Sequence, residues 1–304
     1  MKFPRLPETT RLERLMPPAA AVRLALDTDA FNEIDDQFAV TYAALSPERM
    51  RVEAFYAAPF LNARSTSPED GMEKSYDEIL RLLSRLGRRP EGRTFRGSTR
   101  YLDTRDPEDS PAARDLVKRA MAAADAPLYV AAIGAITNVA NALLIEPRLV
   151  ERIVVVWLGG QPEHWADTRE FNLGQDMTAA RVVLDCGVPL IRIPCYGVAS
   201  HLLMSLPELE QHLRGTGPIG EYLIEIFRDY REDHFAFAKE LWDLSAVACL
   251  VNPTWTPSRL APSPVLRDDC TWGFDPARHV IRTVTFVHRN PIFRDLFLKI
   301  AKHM

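Results

Sequence analysis

Short apolar runs alternate with stretches of helical period along most of the chain, and this alternation is the first clue to its architecture. Val22 to Leu26 is an apolar run that ends in Asp27 and Asp29, and Ile34 to Leu45 follows with apolar residues at helical spacing. The unit reads strand, acidic loop, helix. The same pattern predicts a strand near Val52 to Ala57, a helix near Glu69 to Leu86, a helix near Ala112 to Ala123, a strand near Leu128 to Ile133 and a helix from Asn138 to Leu144. Ile153 to Leu158 and Val188 to Ile193 are β-branched runs, as strands buried on both faces tend to be, with a helix expected from Met177 to Cys186 between them. From Pro207 to Val251 the pattern turns helical, and Val280 to Val287 returns to strand character before a last short helix. Pro253 to Pro264 is proline-rich and reads as an extended surface connection. Such alternation implies an α/β fold, a mainly parallel Rossmann-like sheet flanked by helices. No linker, repeat or low-complexity segment divides the chain, so a single domain over residues 1–304 is expected, with 1–20 as an extended N-terminal arm.

Composition narrows the function classes. With 47% hydrophobic residues the chain can bury a sizeable core without staples, and 37 basic against 41 acidic residues leave a net charge of −4 with no long block of one sign. Nucleic acid and anionic membrane are therefore not the expected partners. Cys186, Cys195, Cys249 and Cys270 show no paired C-x-x-C spacing, which disfavours a cysteine zinc site and points to reduced thiols. The first twenty residues mix charges and prolines without an apolar core for a signal peptide, and no later run reaches the roughly 18 apolar residues of a membrane span. A cytoplasmic protein is expected.

In open α/β sheets, ligands sit beyond the carboxyl ends of the strands. The loops to inspect are thus residues 27–36, 58–62, 134–138 and 159–172. Asp27, Asp29, Asp35 and Asp36, with Glu33 beside them, crowd into ten residues at the mouth of a buried strand. Carboxylates so close stay ionised only with a cation between them, and oxygen-only ligation points to calcium or magnesium rather than zinc. Capping of the following helix is the plainer reading, and it accounts for at most two of them.

Leu26-Asp27-Thr28-Asp29 followed by Asp35-Asp36 resembles the N-terminal aspartate motif of the inosine-uridine preferring nucleoside hydrolase family. The family form is D-x-D-P-G-x-D-D; here Ala30 to Ile34 add two residues before the aspartate pair and remove the proline and glycine. Three further segments match in family order. Ile133 to Asn138 resembles G-x-L-T-N, Glu170-Phe171-Asn172 resembles the sugar-binding E-F-N segment, and Trp242-Asp243 stands where relatives carry histidine-aspartate or tryptophan-aspartate.

The resemblance implies a nucleoside hydrolase fold and cleavage of the bond between ribose and base by a calcium-activated water. It implies Asp29, Asp36, the Thr137 carbonyl and Asp243 as calcium ligands, Asp29 as general base, and Asp27 and Asn138 as supporting residues. Asp35, Glu170, Asn172 and Asn62 are the expected sugar contacts. Asn62 lacks the family's G-N dipeptide and reads equally as a turn residue. A second family asparagine has no match among Gln161, His164 and Trp165. Trp242 cannot protonate a leaving base as histidine can, but it can stack on one, which favours purine nucleosides. His234 is a further candidate acid, on a Tyr222-to-Phe237 stretch that reads as a lid or an amphipathic helix. Relatives assemble as homodimers or homotetramers, so a homo-oligomer is expected. The alternatives are a non-catalytic nucleoside- or ribose-binding protein and, more distantly, a haloacid-dehalogenase-like phosphatase, which also begins with D-x-D after a strand.

Overall fold

The computed structural model describes residues 2–104, 106–122 and 126–303. The first half of the chain forms α1 (Glu8–Leu15), β1 (Val22–Thr28), α2 (Asp36–Ala44), β2 (Met50–Ala57), α3 (Pro68–Arg85), β3 (Thr94–Arg96), α4 (Pro111–Met121), β4 (Leu128–Ala132) and α5 (Thr137–Ile145). Then come β5 (Ile153–Leu158), α6 (Phe171–Gln175), α7 (Met177–Asp185), β6 (Leu190–Ile193), β7 (Leu203–Met204), α8 (Leu206–Leu213), α9 (Gly217–Asp229), β8 (Lys239–Glu240) and α10 (Leu244–Val251). The chain closes with β9 (Ser258–Pro262), β10 (Val265–Leu266), β11 (Trp272–Gly273), β12 (Val280–Val284) and α11 (Arg289–Ala301).

Eight strands make the central sheet in the order β3-β2-β1-β4-β5-β6-β12-β9, parallel except for the β12–β9 pair. Alternate residues serve opposite faces. Val154, Val156 and Leu158 of β5 enter one hydrophobic cluster, while Ile153, Val155 and Trp157 enter the other. Helices α2, α3, α8, α9, α10 and α11 cover the first face and α4, α5 and α7 the second, which is why the strands are apolar on both sides. Helix α10, Leu-Ser-Ala-Val-Ala-Cys-Leu-Val, is buried along its whole length.

Strand order reverses between β1 and β4, the switch point at which the carboxyl ends of neighbouring strands diverge and leave a cleft. Asp27 and Thr28 close β1 there, and Ile133 and Gly134 follow β4.

Several expectations are corrected. The segment ahead of β1 is not simply extended: it carries α1, which buries Leu15 and Arg11, and the Arg11 guanidinium donates to Gly187 O at 2.5 Å. The helical stretch expected to Val251 is interrupted after Asp229, where residues 230–243 run irregularly and contribute only β8, paired antiparallel with β7. Tyr222 to Phe237 is therefore helical only in its first part. The proline-rich segment includes β9, an exposed antiparallel edge strand where proline is tolerated. The predicted end of α4 at Ala123 lies outside the described residues. None of the described helices is long and apolar enough to cross a membrane.

Candidate active site

The switch-point cleft is a cavity of about 360 Å³. The acidic loop contributes Asn32, Glu33 and Asp35 to its lining, and the segment after β2 contributes Asn62. Ile133 and Leu158 come from the ends of β4 and β5, Glu170, Phe171 and Asn172 from the start of α6, Cys195 and Tyr196 from beyond β6, and Trp242 and Asp243 from the approach to α10.

Asp35, Asp36 and Asp243 are buried and each presents an oxygen within 4.8 Å of the others. Asp35 and Asp243 stand at the N-cap positions of α2 and α10, yet neither side chain bonds to the backbone of its helix. Capping therefore does not explain them. The Thr28 hydroxyl donates to Asp36 Oδ1. Asp29 is fully buried and neither of its carboxylate oxygens has a partner among the described residues, and Asp27 Oδ2 is likewise unpartnered there. Gly134 is needed beside Asp29: a Cβ there would lie 2.8 Å from both Asp29 Cγ and Oδ1. This trio contains Asp35 where the family resemblance implies Asp29, while Asp29 stands close enough to feel the charges of Asp36 and Asp35.

Burial raises the pKa of every member. It lifts Asp36 to about 8, with Asp35 adding repulsion, and Asp27 to about 7 against the opposing Asn138 bond. Asp35 rises only to about 6, because burial is partly offset by Lys239. Asp29 and Asp243 are pushed well above the usual carboxylate range by burial and by their acidic neighbours. Lys239 pairs with Glu33 at 2.7 Å; burial works to lower its ammonium pKa, and Asp35 and Glu33 outweigh that and hold it above its ordinary value. One cation cannot balance the group. Buried, unpartnered oxygens of one chemical type fit a hard divalent cation, which would neutralise them and complete their coordination.

Two asparagines brace the strand ends. Asn138 Nδ2 donates to Asp27 Oδ1 at 2.7 Å and to Ala57 O at 3.1 Å, while its Oδ1 accepts from Ser98 N and Oγ. Asn172 Nδ2 donates to Ile133 O at 3.2 Å and Leu158 O at 3.1 Å, spanning β4 and β5. Glu170 caps α6: its carboxylate accepts from Gly160, Asn172 and Leu173 N–H groups, and Gly160 meets it with φ of +73°, a left-handed conformation that suits glycine. Burial raises the Glu170 pKa against these three bonds. Thr137 is buried in the first turn of α5, and its hydroxyl donates to Asp176 Oδ2 at 2.7 Å. Asn62 lines the cavity and also makes a turn, its Oδ1 accepting from Arg64 N at 2.8 Å.

Trp242 begins an aromatic wall. Tyr196 meets it edge-on at 5.1 Å between ring centroids and stacks on Trp165 at 6.0 Å. Gln161 does not stand in for the missing asparagine: its Oε1 accepts from Tyr196 N at 2.9 Å and its Nε2 donates to Arg169 O at 3.5 Å. His164, His201 and His234 are not among the lining residues; His234 stacks on Phe227 and bonds Arg228 O at 3.1 Å. Sequence reasoning named Glu33 only as a neighbour of the aspartates and missed Asn32, Cys195 and Tyr196. The position of Asn32 within the acidic loop was a usable signal, whereas Cys195 and Tyr196 carry only their location after a strand.

Fold and site together define an α/β protein with a buried carboxylate cluster at its switch point. Residues 24–285 match the family model described as inosine-uridine preferring nucleoside hydrolase, and the chain belongs to that family. It is 26% identical over 157 residues to the putative pyrimidine-specific ribonucleoside hydrolase RihB of Shigella boydii serotype 4, covering 49% of this chain and 64% of that protein. The pyrimidine-specific RihB of Escherichia coli O1:K1 is also 26% identical over 157 residues, and there the match spans half of the relative's length. Among solved structures, a plant nucleoside hydrolase, PpNRh1, superposes with a TM-score of 0.74 at 19% identity over 93% of this chain and 99% of that one. A purine-preferring ribonucleoside hydrolase from Gardnerella vaginalis gives 0.71 at 19% identity over 92% and 98%.

Proposed function

We propose that this chain, as a single domain, hydrolyses the N-glycosidic bond of ribonucleosides to free base and ribose. The observation that carries the reading is the set of buried carboxylates at the switch point, whose oxygens at Asp29 lack a partner among the described residues. Asp29, Asp36, Asp243 and the Thr137 carbonyl would hold calcium, with Asp35 near enough to join them or to accept from a ribose hydroxyl. Calcium, when bound, supplies Lewis acidity and cancels the repulsion within the cluster.

The rest of the chemistry belongs to side chains. Water adds at C1′ as the C1′–N bond breaks, and Asp29 accepts the water's proton. Asp27, held by Asn138, backs Asp29. Asp35 and Glu170 place negative potential beside the ribosyl ring as it becomes cationic, and Glu170 also aims Asn172 at the cavity through the α6 cap. Trp242 stacks on the departing base, which takes up a proton on its ring nitrogen from solvent while Asp29 later returns the water's proton to solvent. The curated relatives are named for pyrimidines and one structural neighbour for purines; in this chain Trp242 favours purine nucleosides. The four cysteines are buried and free, which suits a cytoplasmic setting, and a homo-oligomer is the assembly we infer from the family.

A reducing-sugar assay on inosine, guanosine, adenosine, uridine and cytidine, with calcium and with a chelator, tests the proposal. Calcium-dependent release of ribose is expected. Saturable nucleoside binding without turnover would identify a binding protein instead.

A further inference from the structure

Three asparagines line the cavity, and hydrogen bonding separates them. Asn172 spends its amide nitrogen on the carbonyls of Ile133 and Leu158. Asn62 is fixed by its neighbour in sequence: the Arg64 N–H can meet only an oxygen, so Asn62 Oδ1 must face it, at 2.8 Å. Asn62 Nδ2 is thereby turned toward Asn32, donating to its Oδ1 at 2.5 Å and its backbone carbonyl at 3.3 Å. The same logic orients Asn32, whose Oδ1 faces Asn62. Its Nδ2 is then left with two N–H groups and no partner among the described residues.

The loop around this free amide is fastened on both sides. The Arg64 guanidinium contacts the carbonyls of Phe31 and Glu33 at 3.4 Å each, and the Glu33 carboxylate is pinned by Lys239 at 2.7 Å. Asn32 N donates to Asp29 O at 2.7 Å, which closes the turn directly behind the unpartnered aspartate. A donor so held loses little freedom on binding.

Chemistry decides what it meets. Glu33, Asp35, Glu170 and Asp243 give the cavity acceptors in plenty. A sugar hydroxyl donates one hydrogen bond and accepts others, so carboxylate walls satisfy its proton and leave its lone pairs unmet. Resting on the nucleoside hydrolase reading, we propose that Asn32, contributed by the lengthened acidic loop, is the sugar-binding amide of this site. Its Nδ2 donates to one ribose hydroxyl oxygen, and Asn62 is a positioning residue that orients it.

The test compares wild type, Asn32→Ala, Asn32→Asp and Asn62→Ala in the full chain with calcium. The substrates are inosine and its 2′-, 3′- and 5′-deoxy analogues, read by kcat/KM and by calorimetric Kd. Asn32→Asp keeps an acceptor for Asn62 and removes the donor while adding a carboxylate to the acidic loop, so Asn32→Ala, which removes the donor without adding charge, is read beside it. Both Asn32 variants should lose about tenfold on inosine, and the loss should vanish on the one analogue that lacks the partner hydroxyl. Asn62→Ala should lose less, on the same hydroxyl. Equal losses on all four compounds, no loss, or a larger loss from Asn62→Ala than from Asn32→Asp would overturn the assignment. Absence of turnover by wild type is a separate failure, of the hydrolase reading, and the calorimetric pattern then still decides for or against Asn32.

Discussion

Asn138, in the first turn of α5, donates from Nδ2 to Asp27 Oδ1 at 2.7 Å, and so joins the second helical layer to the end of β1 beneath the acidic cluster. The same side chain serves Ala57 O and the Ser98 N–H, so its removal leaves buried groups unpaired on three segments. Asn138→Ala should destabilise the fold by about 2–4 kcal/mol in urea unfolding. Asn138→Asp should be worse, because it puts a second carboxylate against Asp27. An Asn138→Asp protein as stable as the alanine variant would show that this bond does not govern Asp27.

Gly134 lies under Asp29 with no room for a methyl group. Gly134→Ala should displace the Asp29 carboxylate and lower kcat by about 100-fold, the scale of loss for a misplacement near 1 Å. Overpacking should cost about 1–3 kcal/mol, small enough for the protein to be purified and assayed. Unchanged kcat would mean that Asp29 does not act as the base.

The acidic loop and the parallel sheet were legible because each rests on local pattern: carboxylates crowded after a buried strand, and apolar runs that serve two faces. The orientation of Asn62 was not legible, since its position after β2 says nothing of the Arg64 N–H that turns its amide toward Asn32. Asp243 reads from sequence as one acid within a longer helix, whereas it stands at the N-cap of α10, because Lys239 and Glu240 pair with β7 instead of winding. Strand β3, only Thr-Phe-Arg, is too short to show a period, and it exists because β2 offers it an edge. Tertiary partners decide these features.

On the proposed reading, metal and protons compete for the same oxygens. Ordinary aspartate titrates near 3.8; burial raises Asp27 to about 7, burial partly offset by Lys239 raises Asp35 to about 6, and burial with repulsion from Asp35 raises Asp36 to about 8. A folded-state pKa above the unfolded value favours folding at low pH, and that contribution is lost as pH rises through the raised values. The metal-free protein should therefore lose stability from about pH 4, where the unfolded carboxylates ionise, to about pH 8 on account of these groups. On the proposed reading calcium would bind the ionised cluster, so the rise in Tm that it causes should be small at about pH 5 and large at about pH 8. Thermal melts with calcium and with chelator across this range provide the check. An identical calcium effect at both ends, or one that survives Asp243→Asn together with Asp36→Asn, would place the cation elsewhere.

Trp242 is half-buried between the cluster and the Tyr196 ring, which meets it edge-on, and Lys239 lies 5.9 Å from its centroid. Its neighbours fix the ring without covering it, as a stacking platform requires. A base–aromatic stack contributes about 1–3 kcal/mol, so Trp242→Ala should raise KM for purine nucleosides by about tenfold or more. The effect on uridine should be smaller, because a single ring overlaps less of the indole. Trp242→Phe should recover part of the purine loss by restoring a flat face. Trp242→His would offer the leaving base a proton donor in place of a platform, and should raise uridine turnover relative to inosine. The ratio of kcat/KM for inosine and uridine across the three variants reads this directly, and a ratio that stays constant would remove Trp242 from base selection.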